Sequence, residues 1–140
     1  MSFAIRRIES DHESLHKAVL ESLIAFNDTK AGPSGYHPVA LAIEDERGQM
    51  IGGLSGGTAY GWLFVELLFV PELLRGQGVG TELLRRAEEE AVARGCHSVW
   101  LDTFEFQARG FYERLGYTCF GELKEYPAGP RFFMSKRLAR

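Results

Sequence analysis

Glycine occupies every second position in Arg75-Gly76-Gln77-Gly78-Val79-Gly80, between an apolar run that ends at Val70 and a helix-patterned run from Thr81 to Arg94. That arrangement suits anion binding. Glycines let the backbone approach a ligand without Cβ interference, and a helix that follows directly offers N–H groups with no intrahelical partner and the positive end of its dipole. Phosphate is the expected guest. Two familiar phosphate loops are excluded, because a P-loop ends in Gly-Lys-Ser/Thr and a dinucleotide-binding turn carries glycine where this chain has Thr81.

Glu66 is the one ionisable residue between Gly61 and Val70. Burying an unpaired carboxylate is costly, so Glu66 is expected to be ion-paired, to stand at a cleft, or to be protonated with a raised pKa. On a regular strand it shares a face with Trp62, Phe64, Leu68 and Val70, unless a bulge intervenes. Tyr112 lies in a second block, Phe106 to Tyr117, reading F-Q-A-R-G-F-Y-E-R-L-G-Y. A third string, His12-Glu13-Ser14-Leu15-His16, has the letters of the zinc-protease motif H-E-x-x-H. Both histidines fall in the first turns of an N-terminal helix, no third-ligand motif follows, and only His37 and His97 remain, so no metal is expected. Cys96 and Cys119 read as buried small residues.

The elements that position these residues can be traced along the chain. Phe3 to Arg7 alternates as a short strand, and Ser10 or Asp11 caps a helix with Leu15, Val19, Leu20, Leu23 and Ile24 on one face. Asn27 to Pro38 is dense in loop formers at a length associated with lids and binding segments. Strands are expected over Val39–Glu44 and Met50 to about Thr58, joined at Arg47-Gly48. Gly61 to Val70 reads as a strand buried on both faces. Pro71 cannot continue a central ladder, so the sheet should splay there and open a cleft. In the helix after the glycines, Leu83, Leu84, Ala87 and Ala91 face the core, while Glu82/Arg86, Arg85/Glu89 and Arg86/Glu90 pair on the wet side. Ser98–Thr103 then completes a right-handed parallel β-α-β unit. A helix over Gln107–Leu115 and strands over Tyr117–Leu123 and Arg131–Lys136 follow, giving a mixed sheet with helices on both faces.

Together, the Arg75–Gly80 loop and the Phe106–Tyr117 block resemble the acyl-CoA-binding loop and the A-x-x-x-Y-x-x-x-G-[FY] helix of the GNAT N-acetyltransferase superfamily. The resemblance follows nearly the whole chain in element order, with its sequence weight on residues 62 to 117. It implies one α/β GNAT domain over residues 1 to 140, with a mostly antiparallel sheet of six to seven strands around the parallel unit. The implied reaction is transfer of an acetyl group from acetyl-CoA to a primary amine, by direct attack in a ternary complex. Backbone groups of Leu68, Phe69 and Val70 would meet the pantetheine arm. Arg75, Gly76, Gln77, Gly78, Val79, Gly80 and Thr81 would hold the diphosphate. Tyr112 matches the tyrosine that protonates the leaving sulfur, and Glu66 stands on the strand where many members carry a general base. Where relatives place an asparagine on the cofactor, this chain has Glu105, with Gln107 two residues on.

A base has work to do in such a reaction. A lysine-like amine with pKa near 10.4 is neutral in roughly one molecule in 2,500 at pH 7, a deficit of about 4.6 kcal/mol. The acceptor is a small-molecule or peptide amine. Candidate recognition residues are Asn27–Pro38, Tyr60–Trp62 and Glu122–Arg131, where Glu122, Glu125 and Tyr126 suit a cation. A formal charge of −3 speaks against nucleic acid or an anionic membrane as partner. No signal-peptide pattern or 18-residue apolar run appears, so a reduced cytoplasmic setting is expected. The edge of the last strand offers a place for a second chain, as in a homodimer. The competing reading is a non-catalytic acyl-CoA-binding regulatory module on the same fold.

Overall fold

The computed structural model describes residues 1–127 and 129–138, which form two compact units, Met1–Ser34 and Gly35–Arg140. In the first, helix α1 spans His12–Ala31. Asp11 is its cap: one carboxylate oxygen accepts from the Ser14 N–H at 3.3 Å and the other from the Ser14 hydroxyl at 2.7 Å. The helix continues past Asn27, where a loop was expected. The Thr29 hydroxyl turns back onto the Phe26 carbonyl at 2.6 Å, and Gly32, at φ 77°, supplies the stop by donating its N–H to the Asp28 carbonyl. The loop therefore shrinks to residues 32–36. Phe3–Arg7 is not a strand. Alternation specifies side chains only, and a strand exists only where another backbone completes its hydrogen bonds.

None of the residues of α1 is buried. At about 100° per residue, Leu15, Val19, Leu20, Leu23, Ile24 and Phe26 fall within one half of the helix circumference. The single apolar face expected from the sequence is present, as a broad one.

The second unit is a six-stranded sheet in the order β1-β2-β3-β4-β6-β5, with β1 His37–Glu44, β2 Met50–Ala59, β3 Trp62–Phe69, β4 Ser98–Phe104, β5 Thr118–Leu123 and β6 Arg131–Arg137. Every pairing is antiparallel except β3 with β4. The last strand lies between β4 and β5, so both its sides are occupied. The free edges belong to β1 and β5, which corrects the expected place for a second chain. Helix α2, Val79–Ala93, presents Leu83, Leu84, Ala87 and Ala91 to a core shared with Leu63, Val65, Val99, Leu101 and Met134. The intervening residues of β3 and β4 point to the opposite face, where Phe64 stacks on Trp100 at 4.2 Å and Trp62 stays exposed. So β3 is not buried on both faces. Arg94 ties the end of α2 to the start of β1, donating to the carbonyls of His37 and Pro38 at 3.0 and 3.1 Å. Helix α3, Arg109–Arg114, is shorter than expected and sends Tyr112 into the same core.

Candidate functional site

Parallel pairing of β3 with β4 runs from Trp62–Ser98 to Val65–Leu101 and then ends, although both strands continue. The split therefore opens at Glu66, five residues before Pro71. A bulge accompanies it: Val65 faces Gly56 and Leu67 faces Ser55, leaving Glu66 with no partner on β2. Parity changes across this bulge. Leu63 and Val65 are core residues before it, and Leu68 and Val70 pack on the core after it, while Leu67 and Phe69 are exposed. Glu66 is exposed as well, so the premise of a buried carboxylate fails. Beyond Val65, the β4-facing backbone groups of Leu67, Leu68 and Phe69 have no strand partner. The Val70 carbonyl is claimed by the Arg75 guanidinium at 2.9 Å, which also lies 5.7 Å from the Phe69 ring centroid.

After a 3-10 turn at Glu72–Leu74 the chain passes through Gly76 and Gly78, both left-handed at φ 77° and 79°. A Cβ at either would meet nothing within 4 Å, so conformation, not crowding, demands glycine there. Gly80 is glycine for another reason: a Cβ would stand 3.1 Å from the Phe111 ring. The third glycine thus has a packing purpose that the alternating pattern did not suggest. Gly78 precedes α2 and no side chain caps it. The first amide to bond back is that of Glu82, to the Gly78 carbonyl at 3.0 Å, which leaves the N–H groups of Val79, Gly80 and Thr81 without intrahelical partners. Gln77 turns its amide to the Leu73 carbonyl at 3.0 Å. An open pocket of about 330 Å³ adjoins this turn, lined among others by Leu41, Gln77, Gly78, Val79 and Arg86. Glu82, the acidic residue in it, is bound by Arg85 and Arg86 at 2.6 and 2.7 Å, which hold its carboxyl down to about 2. Two guanidiniums on one carboxylate leave the first turn open to an anion.

The two tyrosines of α3 and its end differ in their hydroxyls. Tyr117 donates to Glu88 at 2.7 Å, and Glu88 also holds Lys136 at 2.8 Å. Tyr112 is equally enclosed, edge-on to Phe111 and Tyr117, but its hydroxyl has no partner among the described residues. No side-chain polar atom there is both sealed from solvent and unbonded, so that hydroxyl is reachable. Burial, with the negative charge of Asp102 adding to it, pushes the Tyr112 phenol up to about 12.

Asp102 is the site residue the sequence reading passed over. It is held by Arg131 at 2.7 Å, and the Arg131 guanidinium sits 5.5 Å from the rings of both Phe104 and Phe133. The signal was the same as for Glu66: the one ionisable residue in its strand. Gln107 has a local role, its amide oxygen accepting from the Phe104 N–H at 2.6 Å and the Thr103 hydroxyl at 3.2 Å, which shapes the turn between β4 and α3.

Of the acceptor candidates, Glu122 and Glu125 are exposed and Tyr126 sets its ring edge-on to Phe104 at 5.0 Å; Ala128 in that loop lies outside the described residues. His12 directs its ring to the Ile8 carbonyl at 3.2 Å. Among the described residues no three His, Cys, Asp or Glu side chains converge as metal ligands, and no helix is long and apolar enough to cross a membrane. Cys96 is buried and Cys119 half-buried.

A sheet split at its one parallel pair, beside a glycine turn into a helix, defines an open-sheet acyltransferase fold. The family model for the acetyltransferase (GNAT) family matches residues 4–117, and the chain belongs to that family. It is 41% identical to the acetyltransferase Atu2258 of Agrobacterium fabrum over 92% of this chain and 93% of the relative. A crystal structure of an acetyltransferase from Agrobacterium tumefaciens, 40% identical, superposes with a TM-score of 0.87, covering 98% of this chain and 99% of that one. The blasticidin-S acetyltransferase of Streptomyces morookaense is 44% identical over 60% of this chain and 62% of its own length. An aminoglycoside 6'-N-acetyltransferase solved with coenzyme A shares the fold at TM-score 0.60 and 22% identity, over 74% of each chain.

Proposed function

We propose that this chain moves an acetyl group from acetyl-CoA to a primary amine by direct attack. The observation that carries the reading is the Tyr112 hydroxyl: protonated, uncommitted and reachable, beside the strand that forms one wall of the β3–β4 split. Acetyl-CoA, when bound, supplies an activated thioester carbonyl. The residues present fit such a guest. The free N–H groups of Val79, Gly80 and Thr81 suit the diphosphate, with Gly76, Gln77 and Gly78 shaping the turn. The β4-facing edge along Leu67–Phe69, which has no strand partner, suits an extended amide-bearing arm, which can add to it as a peptide would. Arg75 serves this edge through Val70, so its contribution is to fix the strand end as much as to add charge.

In this scheme N–H groups at Phe69 and Val70 polarise the carbonyl as the amine approaches. As the carbon–sulfur bond breaks, Tyr112 gives its proton to the sulfur and recovers one from solvent, while the nitrogen that has formed the amide bond sheds its second proton to water. With its pKa near 12, Tyr112 keeps its proton throughout neutral pH, so donation does not depend on a particular pH between 6 and 9. Glu66, exposed at the bulge, takes the proton of the incoming ammonium, directly or through water. No covalent enzyme intermediate is needed.

The test is release of free CoA from acetyl-CoA across amines, polyamines, aminoglycosides and lysine peptides. Blasticidin S belongs in the first panel because a relative bears its name. Amine-dependent release, matched by acetylated product, is expected. CoA binding with no release for any amine would favour the regulatory-module reading instead.

A further inference from the structure

Tyr112 stands on a helix that is too short to hold it still unaided. Helix α3 has six residues and no side chain capping its start, and a helix of that length is marginal without tertiary support. Its end is a Schellman turn: Gly116, at φ 96°, donates its N–H to the Glu113 carbonyl at 3.1 Å, and Tyr117 donates its N–H to the Tyr112 carbonyl at 3.1 Å. The same turn sets the two rings edge-on, with centroids 5.7 Å apart. Backbone and ring therefore both make the place of Tyr112 depend on that of Tyr117. What fixes Tyr117 is a carboxylate on another helix. Its hydroxyl donates to Glu88 Oε2 at 2.7 Å, and Lys136 Nζ holds Glu88 Oε1 at 2.8 Å. Glu88 belongs to α2, the helix whose first turn carries the free amides of Val79, Gly80 and Thr81. On the other side of Tyr112, Phe111 is edge-on to it at 5.2 Å and lies against Gly80 in that first turn. The two attachments, at Gly80 and Glu88, meet α2 about 12 Å apart along its axis. Two points so far apart fix the orientation of the tyrosine pair as well as its distance.

We propose that Glu88 and Tyr117 are positioning residues for the acid step: through the Tyr117 hydroxyl, Glu88 fixes the Tyr112 phenol relative to α2. One helix then sets the place of the diphosphate and, by this tether, the place of the proton donor. The inference rests on the reading of Tyr112 as donor to the leaving sulfur. Among the described residues the Tyr112 hydroxyl has no hydrogen-bond partner, so packing has to aim it. Proton transfer needs the two atoms at hydrogen-bond distance, and a misplacement of about 1 Å can cost on the order of 10²-fold in rate. Tyr117→Phe keeps the ring beside Tyr112 and the ion pair of Glu88 with Lys136, and deletes the tether alone.

The test compares Tyr117→Phe, Glu88→Gln, Tyr112→Phe and the two double variants that contain Tyr112→Phe. Activity is read as free CoA released from acetyl-CoA, with the fastest amine of the panel or with water alone as acceptor, well below the Tm of each variant. Tyr117→Phe should lower kcat by about 10-fold or more and leave the Kd for CoA, read by calorimetry, within about twofold. It should cost nothing further where Tyr112 is already phenylalanine. Glu88→Gln keeps a weaker acceptor in the same place, so its loss should be smaller and equally absent from the Tyr112→Phe background. A wild-type kcat in Tyr117→Phe, with Tyr112→Phe slow, would overturn the tether and leave the proton-donor reading standing. So would a loss of the same size on both backgrounds, which is what a role in stability alone gives. A wild-type kcat in Tyr112→Phe would overturn the proton-donor reading, and the tether with it.

Discussion

The glycine turn and the bulged end of β3 lie on neighbouring segments, yet they are built from different materials. At the turn, Gly76, Gly78 and the amides of α2 present main chain; their side chains are absent or, as with Gln77, occupied locally. Around the split, Glu66 of β3, Asp102 of β4 and Tyr112 of α3 offer side chains instead, and burial and the charge of Asp102 act on Tyr112. Main-chain sites are set by φ and ψ and tolerate little substitution. Side-chain sites are set by surroundings, and so can be retuned for different acceptors on one donor frame. Under the proposed function, a donor-binding half made of backbone and an acid-base half made of side chains should therefore fail separately when mutated.

The largest separation is expected at Tyr112. In Tyr112→Phe, kcat should fall by about 10²- to 10⁴-fold, the usual worth of a positioned proton donor, while the Kd for CoA, read by calorimetry, stays within about twofold. Equal losses in both would merge the two halves. Gly78→Ala should do the reverse. Its φ of 79° costs an alanine about 1–2 kcal/mol, so CoA affinity should drop up to about 10-fold with the acceptor KM unchanged. Gly80→Ala sharpens the point, because its cost comes from the Phe111 ring and should appear as lower Tm with a smaller change in CoA affinity. Asp102→Asn removes a negative neighbour of Tyr112, so the phenol's titration, followed by its ultraviolet absorbance, should move to lower pH.

The smallest effect concerns stability in alkali. Burial pushes the Tyr112 phenol from its ordinary 10.0 up to about 12 in the folded chain. The unfolded chain thus loses that proton first, and the stability from the buried neutral phenol is complete below pH 10 and declines as pH rises from there towards 12. Denaturant midpoints at pH 9 and 11 should differ in that direction, and less so in Tyr112→Phe.

The same division explains what could be read from the residues alone. The buried face of α2 and the parallel β3–β4 pair were legible because periodicity and chain order impose them. Gly76 and Gly78 were legible because left-handed backbone selects glycine. Gly80 was seen for its type and misjudged for its cause, since Phe111 meets it only in the fold. Glu66 was expected on the wrong footing because it is itself the extra residue of a bulge opposite Ser55 and Gly56, and which β2 residues lie opposite is not written in the pattern of β3. The expected strand at Phe3–Arg7 and the expected edge at the last strand failed together: both concern which backbone lies beside which, and local pattern is silent on that. Asp102 was legible and missed, being the same lone carboxylate signal one strand over.

The central claim, that the free amides of the α2 turn and of the split end of β3 receive the acyl-CoA, is tested most directly by backbone hydrogen exchange with and without CoA. Slower exchange is predicted at Leu67–Val70 and Gln77–Thr81, with β5 unchanged. Protection absent from both segments, or concentrated elsewhere while CoA is bound, would contradict it.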